Sequence, residues 1–310
     1  MTALICGSFA YDTIMVFNDR FKNHILPEKV HILNVSFQVP ELRREFGGCA
    51  GNIAYNLKRL GGEPLPLGAV GRDFGPYAEW MDRCGVSRRY IKVCDDTYTA
   101  QAFITTDQDD NQITAFHPGA MNRSHEARVP TGAGIKLGIV SPDGRDGMIQ
   151  HSAQFAEANI PFIFDPGQGM PLFDGKDLLH FLEQATWATL NDYEAELMQQ
   201  RTGKTLKELA GFVKALIVTL GASGSRIYAD GQTIDVPPAS AAKVIDPTGC
   251  GDAYRAGLLY GLSNGMDWKT TGRVASLMGA IKIESNGTQN HDFTPAQFAA
   301  RFKQEFGYAL

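Results

Sequence analysis

The sequence predicts an α/β protein with a mostly parallel sheet, and three observations carry that prediction. Short apolar runs alternate with amphipathic stretches along most of the chain. Most runs end in Gly, Pro, Asn or Asp, residues that turn a chain out of a strand. The amphipathic stretches between them have the length of crossover helices, and strand, turn and helix repeated build a parallel sheet covered on both faces. In such sheets ligands bind at the carboxyl ends of the strands, so function is expected in the loops just after the apolar runs.

The elements follow in order. Ala3–Cys6 is a strand closed by Gly7. Val30–Val39 alternates and is rich in β-formers, which reads as another strand. Asn52–Leu60 has a helical period and stops at Gly61-Gly62, a C-cap signal. Thr97–Thr106, the polar turn Asp107–Asn111 and Gln112–His117 read as a β-hairpin. No helix accompanies Val30–Val39 or the hairpin, so they are expected to form a small separate sheet; an antiparallel extension of the main sheet is the alternative. Leu137–Val140, Pro161–Phe164, Ala188–Leu190 and Ala215–Leu220 read as body strands, and Asp146–Ala158, Lys176–Gln184, Asp192–Arg201 and Ala253–Ser263 as helices. Residues 1–11, 47–96 and 119–310 are thus assigned to the α/β body, and 12–46 and 97–118 to the small sheet.

Composition narrows the function classes. Of 310 residues, 44% are hydrophobic and 20% charged, which excludes a disordered or fibrous chain. A net charge of −5, from 29 Lys+Arg against 34 Asp+Glu, argues against nucleic acid or an anionic membrane as partner. No apolar stretch approaches the length of a membrane span, and the first residues carry no basic segment of a signal peptide. Cys6, Cys49, Cys84, Cys94 and Cys250 are scattered and odd in number, so neither a disulfide framework nor a zinc site is expected. A reducing cytoplasm is the expected compartment.

One loop carries chemistry. Asp246-Pro-Thr-Gly-Cys-Gly-Asp252 opens the helix Ala253–Ser263. Gly249, Cys250 and Gly251 put small residues at a helix start, where unpaired N–H groups and the positive end of the helix dipole face outward and an anion can approach the backbone. Asp252 in the same turn repels a phosphate unless a proton lies between them. A bound hydroxyl supplies one: Asp252 takes its proton while the amides neutralise the charge of a transferring phosphoryl group. The plainer reading is that Asp252 caps the helix.

The loop resembles the D-T-x-G-A-G-D signature of the ribokinase-like (PfkB-type) sugar and nucleoside kinases. Further marks of that family appear in order: Gly7-Ser8 with Asp12, Gly47-Gly48 followed by Asn52, Asn191-Asp-Tyr-Glu194, and Val218-Thr-Leu-Gly-Ala-Ser-Gly224. The resemblance spans nearly the whole chain and is strongest to the bacterial adenosine and nucleoside kinase branch, through N-V-S-F-Q-V, Q-I-T-A-F-H-P-G-A-M and G-T-Q-N. It implies a three-layer α/β/α body with a small β-sheet lid over the substrate; Gly47-Gly48, able to absorb large dihedral changes, is the expected hinge between them.

The resemblance also implies roles. Asp252 is the general base toward a sugar hydroxyl, with an anion hole from the Gly249, Cys250 and Gly251 amides; only the amide of Cys250 is needed, so its thiol is not read as a nucleophile. Asn191, Thr219, Gly221 and Gly224 line ATP, and Glu194 holds Mg2+ through water. The plainer readings are a capping box for Asn191 and Glu194 and an ordinary hairpin turn for the glycines. Asp246 and Thr248, facing Ser285–Asn290, match the family's potassium site, although Pro247 removes one N–H there.

For the acceptor, Asp12 at the end of the first strand and Asn52 beside Gly48 suit vicinal hydroxyls, with Ser8 and Ser36 as auxiliary donors. Asn52 also suits a helix N-cap. Phe103 and Phe116 in the hairpin match stacking aromatics of adenosine kinases, unless they are lid core, and Gln168 is placed to read a base edge. Leu172 and Gly169 stand where the closer relatives carry Arg and Gln, which implies a base pocket of altered specificity. Adenosine is the first expected substrate and other purine nucleosides the next. The alternatives are a ribose or fructose kinase of the same family and a non-catalytic nucleoside-binding protein. G-x-G-x-x-G is absent after the first strand, a Walker A motif is absent around Gly203-Lys204-Thr205, and H-R-D and D-F-G are absent throughout. A dehydrogenase, a P-loop kinase and a protein kinase are therefore disfavoured. An exposed small sheet also suggests a homodimer through the lid.

Overall fold

The structure, a computed structural model, describes residues 2–32, 34–109, 111–132 and 134–310. Leu33, inside the predicted strand Val30–Val39, and Asp110, inside the predicted turn, lie outside the described residues. In chain order the strands are β1 (Thr2–Cys6), β2 (Ala10–Val16), β3 (Glu41–Gly47), β4 (Glu63–Gly71), β5 (Tyr90–Cys94), β6 (Ala100–Thr106), β7 (Gln112–His117), β8 (Leu137–Val140), β9 (Phe162–Phe164), β10 (Trp187–Asn191), β11 (Ala215–Thr219), β12 (Ser225–Ala229) and β13 (Gln232–Val236). The α-helices are α1 (Cys49–Arg59), α2 (Gly75–Cys84), α3 (Arg145–Glu157), α4 (Gly175–Gln184), α5 (Asp192–Thr202), α6 (Leu206–Ala210), α7 (Cys250–Ser263), α8 (Trp268–Ile283) and α9 (Pro295–Phe306).

Nine strands form the main sheet in the order β13-β12-β11-β10-β9-β8-β1-β4-β5. Pairing is parallel from β11 to β5 and antiparallel only through β12 and β13. Successive strand residues face opposite layers. Ala3, Ile5, Ile139, Ile163 and Ile217 pack in one core with residues of α1, α2, α7 and α8. Leu4, Cys6, Val140, Phe164 and Val218 pack in the other with residues of α3, α4, α5 and α6. This is the three-layer body that the alternating apolar runs predict.

The chain grows outward from β1 in both directions, through β4 and β5 on one side and through β8 to β11 on the other. The gap between β1 and β8 is therefore the topological switch point, where a crevice opens at the carboxyl ends of the strands. Its rim is tightly drawn: Ser8 N–H donates to Pro142 O at 3.1 Å, and Gly7 N–H to Leu67 O at 3.1 Å.

A separate four-stranded sheet has the order β3-β2-β6-β7. The hairpin expected from 97 to 117 is present as antiparallel β6 and β7. The predicted strand Val30–Val39 is not: Pro27–Ile32 is 3-10 helical, and residues 34–39 carry no regular structure. Glu41–Gly47 takes its place beside β2. Val30 and Ile32 are exposed and Phe37 packs on Phe17 and Phe21, but the segment has no neighbouring strand to pair with, and pairing decides strand formation more than propensity does.

Candidate active site

Two helix N-termini meet at the crevice. Gly48, with φ +86°, is the N-cap of α1, and a Cβ there would lie 2.6 Å from Ser8 O and from Ala10 N. No side chain fits, so β3 can hand directly to α1. Gly249, with φ +80°, is the N-cap of α7. The two helices are joined at their first turns: Asn52 Nδ2 donates to Asp252 Oδ2 at 2.8 Å. Asn52 lies inside α1 rather than at its cap, which frees its amide for this contact.

Asp252 is the third residue of α7 and caps nothing through its side chain. Burial pushes its carboxyl up to about 6, opposed by the Asn52 amide and the Arg255 guanidinium and reinforced by Asp165. The amides at this helix start divide. Cys250 N–H already donates to Pro247 O at 3.1 Å. The N–H groups of Gly249, Gly251 and Asp252 have no acceptor among the described residues. The expected anion hole thus keeps its two glycine amides free, while the Cys250 amide is used within the loop. The Cys250 thiol is pushed up to about 11 by burial, which keeps it protonated at neutral pH and agrees with its not being a nucleophile.

Several groups around this pair are given no role by the sequence, although Gln289 lies in the G-T-Q-N motif. Gln289 Nε2 donates to Asn52 Oδ1 at 3.0 Å and to Tyr77 OH at 2.7 Å, and its Oε1 accepts from Trp80 Nε1 at 2.8 Å. Gln289 therefore fixes which end of the Asn52 amide faces Asp252. Behind Asp252, Arg255 forms a two-point ion pair with Asp165, both contacts at 2.9 Å, and its Nη2 lies 3.9 Å from Glu194 Oε2. Both members are buried. Asp165 follows β9, so this pair ties the loop carrying Gln168 to the first turns of α7; Gln168 itself is exposed.

Asp12 lies within β2 of the small sheet, not at the end of the first strand as the sequence suggests. Burial, helped by Glu45, pushes its carboxyl up to about 6, and no hydrogen bond among the described residues compensates. A desolvated carboxylate without a donor is a receptive site for hydroxyl groups. Ser8 is nearby in the chain and caps α1, its Oγ accepting from Cys49 N–H at 3.1 Å. Ser36 is exposed, next to Phe37 in an aromatic group with Phe17 and Phe21, and no contact brings it to Asp12 or Asp252.

The two hairpin phenylalanines are not a pair. Residues directly opposite each other on neighbouring strands share a face, and successive residues alternate. Asp12 pairs with Ala102, and Ala102 with Phe116. Phe103 pairs with Thr13 and Ala115. Only Phe116 of the two shares the face of Asp12, and Phe103 lies on the opposite face.

At the other side of the crevice, Asn191 and Thr219 are register partners at the carboxyl ends of β10 and β11. Leu220–Gly224 then makes a tight turn into antiparallel β12, with Gly221 and Gly224 at positive φ. Asn191 and Glu194 form a full capping box: Asn191 Oδ1 accepts from Glu194 N–H, and Glu194 Oε2 from Asn191 N–H, both at 2.7 Å. The capping reading thus holds, and Glu194 Oε1 also accepts from Asn191 Nδ2 at 2.9 Å.

Potassium does not fit the residues expected to hold it. The carbonyl of Asp246 accepts from Lys282 Nζ at 2.8 Å, and the Ser285 carbonyl from the same ammonium at 3.0 Å. The Asp246 carboxylate is taken by the N–H groups of Thr248 and Gly287, at 2.9 and 2.8 Å. Against the cost of burial, these donors hold it below the usual carboxylate range.

The family model described as pfkB family carbohydrate kinase matches residues 13–295. A curated nucleoside kinase of Methanocaldococcus jannaschii is 33% identical over 266 residues, 85% of this chain and 87% of that protein. The solved structure of a Burkholderia thailandensis nucleoside kinase in complex with inosine is 54% identical, with a TM-score of 0.90 over 100% of this chain and 99% of that one. A structure of the same protein in complex with ADP-inosine is 55% identical, with a TM-score of 0.88 over 100% and 97%.

Proposed function

The chain belongs to the pfkB family of carbohydrate kinases and has a ribokinase-like α/β fold, and from that premise we propose that it transfers the γ-phosphoryl of ATP to the 5'-hydroxyl of a purine ribonucleoside. Adenosine is the first acceptor and inosine, the ligand of a similar kinase, the second. The observation that carries the reading is the Asp252 carboxylate: desolvated, held by Asn52, and one turn from free N–H groups of α7.

The chemistry follows from what each residue has left to offer. Asp12, with no donor of its own, accepts from a ribose hydroxyl; Asn52 keeps one amide N–H beyond the one given to Asp252. The 5'-hydroxyl then lies against Asp252, which takes its proton as the oxygen attacks the γ-phosphorus and the bond to the ADP oxygen breaks. The Gly249 and Gly251 amides receive the charge on the transferring group. Asn191, Thr219, Gly221 and Gly224 hold ATP, and Glu194 would hold waters of a Mg2+ ion, whose charge would offset that of the phosphates. Potassium is left out of this mechanism.

An ATP-consumption assay over nucleosides and sugars tests the reading. kcat/KM for a purine nucleoside is expected to exceed that for ribose or fructose by about 10³-fold, because a site built for a base leaves polar groups unpaired when the base is missing. Turnover of sugars and of no nucleoside overturns the acceptor. Nucleoside binding without turnover in any mixture overturns the enzyme.

Phe116 is the stacking residue of this proposal. Phe116→Ala is expected to raise KM for adenosine about tenfold, the worth of one aromatic contact, and Phe103→Ala to leave it within about twofold. Equal effects would overturn the assignment of faces. Phe103 instead lies with Met15, Leu42 and Ile113 on the sheet face away from Asp12. Leu42 and Ile113 are exposed there, which supports a homodimer through the lid. All five cysteines are free, in keeping with a reducing cytoplasm, and among the described residues no helix is long and apolar enough to cross a membrane.

A further inference from the structure

Lys282 sits one residue before the end of α8 and is fully buried. A lysine rarely goes inside without a charged partner or a set of acceptors. Here the acceptors are two backbone carbonyls from different loops, Asp246 O at 2.8 Å and Ser285 O at 3.0 Å. Asp246 opens the loop that ends in the anion-binding turn, and Ser285 opens the loop that carries Gln289. The same two loops are cross-linked again where Asp246 Oδ2 accepts from Gly287 N–H. Gly249 packs on Thr288 closely enough that a Cβ would lie 3.0 Å from its methyl.

We propose that the Lys282 ammonium is a built-in monovalent cation: it joins the Asp246–Gly251 loop to the Ser285–Asn290 loop, sets the first turn of α7 for the phosphoryl group, and frees the protein from potassium. Carbonyl oxygens from converging loops are the ligands that a weakly hydrated cation would otherwise collect. A free cation brought to these carbonyls would meet a fixed positive charge a few ångströms away, a strong repulsion in a desolvated site. Lys282 is a positioning residue in this account. It acts through the loop that presents the Gly249 and Gly251 amides, and burial lowering its pKa is opposed by the Asp246 charge.

The test has one arm that needs no turnover and one that rests on the kinase reading. Melting temperatures of the wild-type protein are measured in KCl, NaCl, NH4Cl and tetramethylammonium chloride at equal ionic strength. They are expected to agree, whereas a rise of more than about 3 °C specific to potassium would indicate an ion bound by the folded state and overturn the proposal. In the kinase assay, wild-type kcat is expected to vary less than about twofold across these salts, and potassium activation of about tenfold or more overturns it. Lys282→Met is expected to lose about tenfold or more in kcat in tetramethylammonium, with nucleoside KM little changed, and to regain it in NH4Cl or KCl. A folded variant whose activity is unchanged, or lost equally in all four salts, makes Lys282 a mere prop and overturns the proposal. Should no substrate turn over, the kinase reading fails, and the melting arm still decides on the cation.

Discussion

Asp252→Asn is expected to cut kcat by about three orders of magnitude, the usual worth of a positioned general base, while nucleoside binding survives. Asn is close to Asp in shape, and its carbonyl oxygen still accepts from Asn52 Nδ2, so the joint between α1 and α7 is kept. What disappears is the ability to take a proton. Stability is expected to move the other way. Asp252 has a folded pKa of about 6 against an ordinary 3.8, so the folded state holds this proton more tightly than the unfolded chain. Stability from that difference is fully present below about pH 4 and is lost as pH rises through 6. At pH 7.5 the ionised carboxylate is therefore a net strain on the fold, and Asn removes it. Thermal melting at pH 7.5 should place the variant level with wild type or roughly 2 °C above it. Near-wild-type turnover would remove Asp252 from the chemistry, and a large fall in melting temperature would make it a structural residue.

The same shift gives the rate an acid limb. kcat/KM is expected to fall below a pH near 6 by about tenfold per pH unit for each group that must be ionised, Asp252 being the one that then holds the proton it must remove from the acceptor. Asp12 is also pushed up to about 6, so the free protein has two groups titrating together. Asp252 acts on kcat as well as on kcat/KM, whereas Asp12 acts through binding and drops out at saturating nucleoside.

The body was legible because its strands are buried on both faces and so read as plain apolar runs, as at Leu137–Val140 and Ala215–Thr219. The third strand of the small sheet escaped because Glu-Leu-Arg-Arg-Glu-Phe-Gly, on a partly exposed edge, carries more charge than apolar pattern. Val30–Val39 misled for the converse reason, having strand-forming residues and no neighbouring strand to pair with. Helix α8 was missed because its partly exposed face carries Gly279 and Ile283 beside Arg273 and Ser276, which blurs the amphipathic period. At the site, the residues inside local motifs, Asp252 and Asn52 above all, could be named from the sequence, Asp252 from its glycine-rich helix start and Asn52 from what the family resemblance implies. Those that set their geometry could not. Gln289 reaches Asn52 across 237 residues, Arg255 reaches Asp165 across 90, and Lys282 reaches Asp246 across 36. No local pattern encodes such pairs. The opposite facing of Phe103 and Phe116 depends on strand register, which the hairpin's composition does not fix.

Arg255→Met is expected to be the most damaging substitution to the fold near the site. Arg255 and Asp165 are 5% and 2% exposed, and removing the guanidinium leaves a buried carboxylate with its charge unpaired. Breaking a buried pair from one side costs about 3–5 kcal/mol, which for a chain of this size lowers Tm by about 5–8 °C. Adding Asp165→Asn takes away the stranded charge and should return more than half of that loss. The pair is then worth less than either single change implies, and the double-mutant cycle measures the difference. The site reports the same event. Arg255 lowers the pKa of Asp252 and Asp165 raises it, so the acid limb of kcat/KM should move up in Arg255→Met and back down in the double variant. A Tm for Arg255→Met within about 2 °C of wild type would mean that Asp165 is solvated or protonated there. The ion pair would then neither hold the β9 loop to α7 nor tune the carboxylate that faces the acceptor.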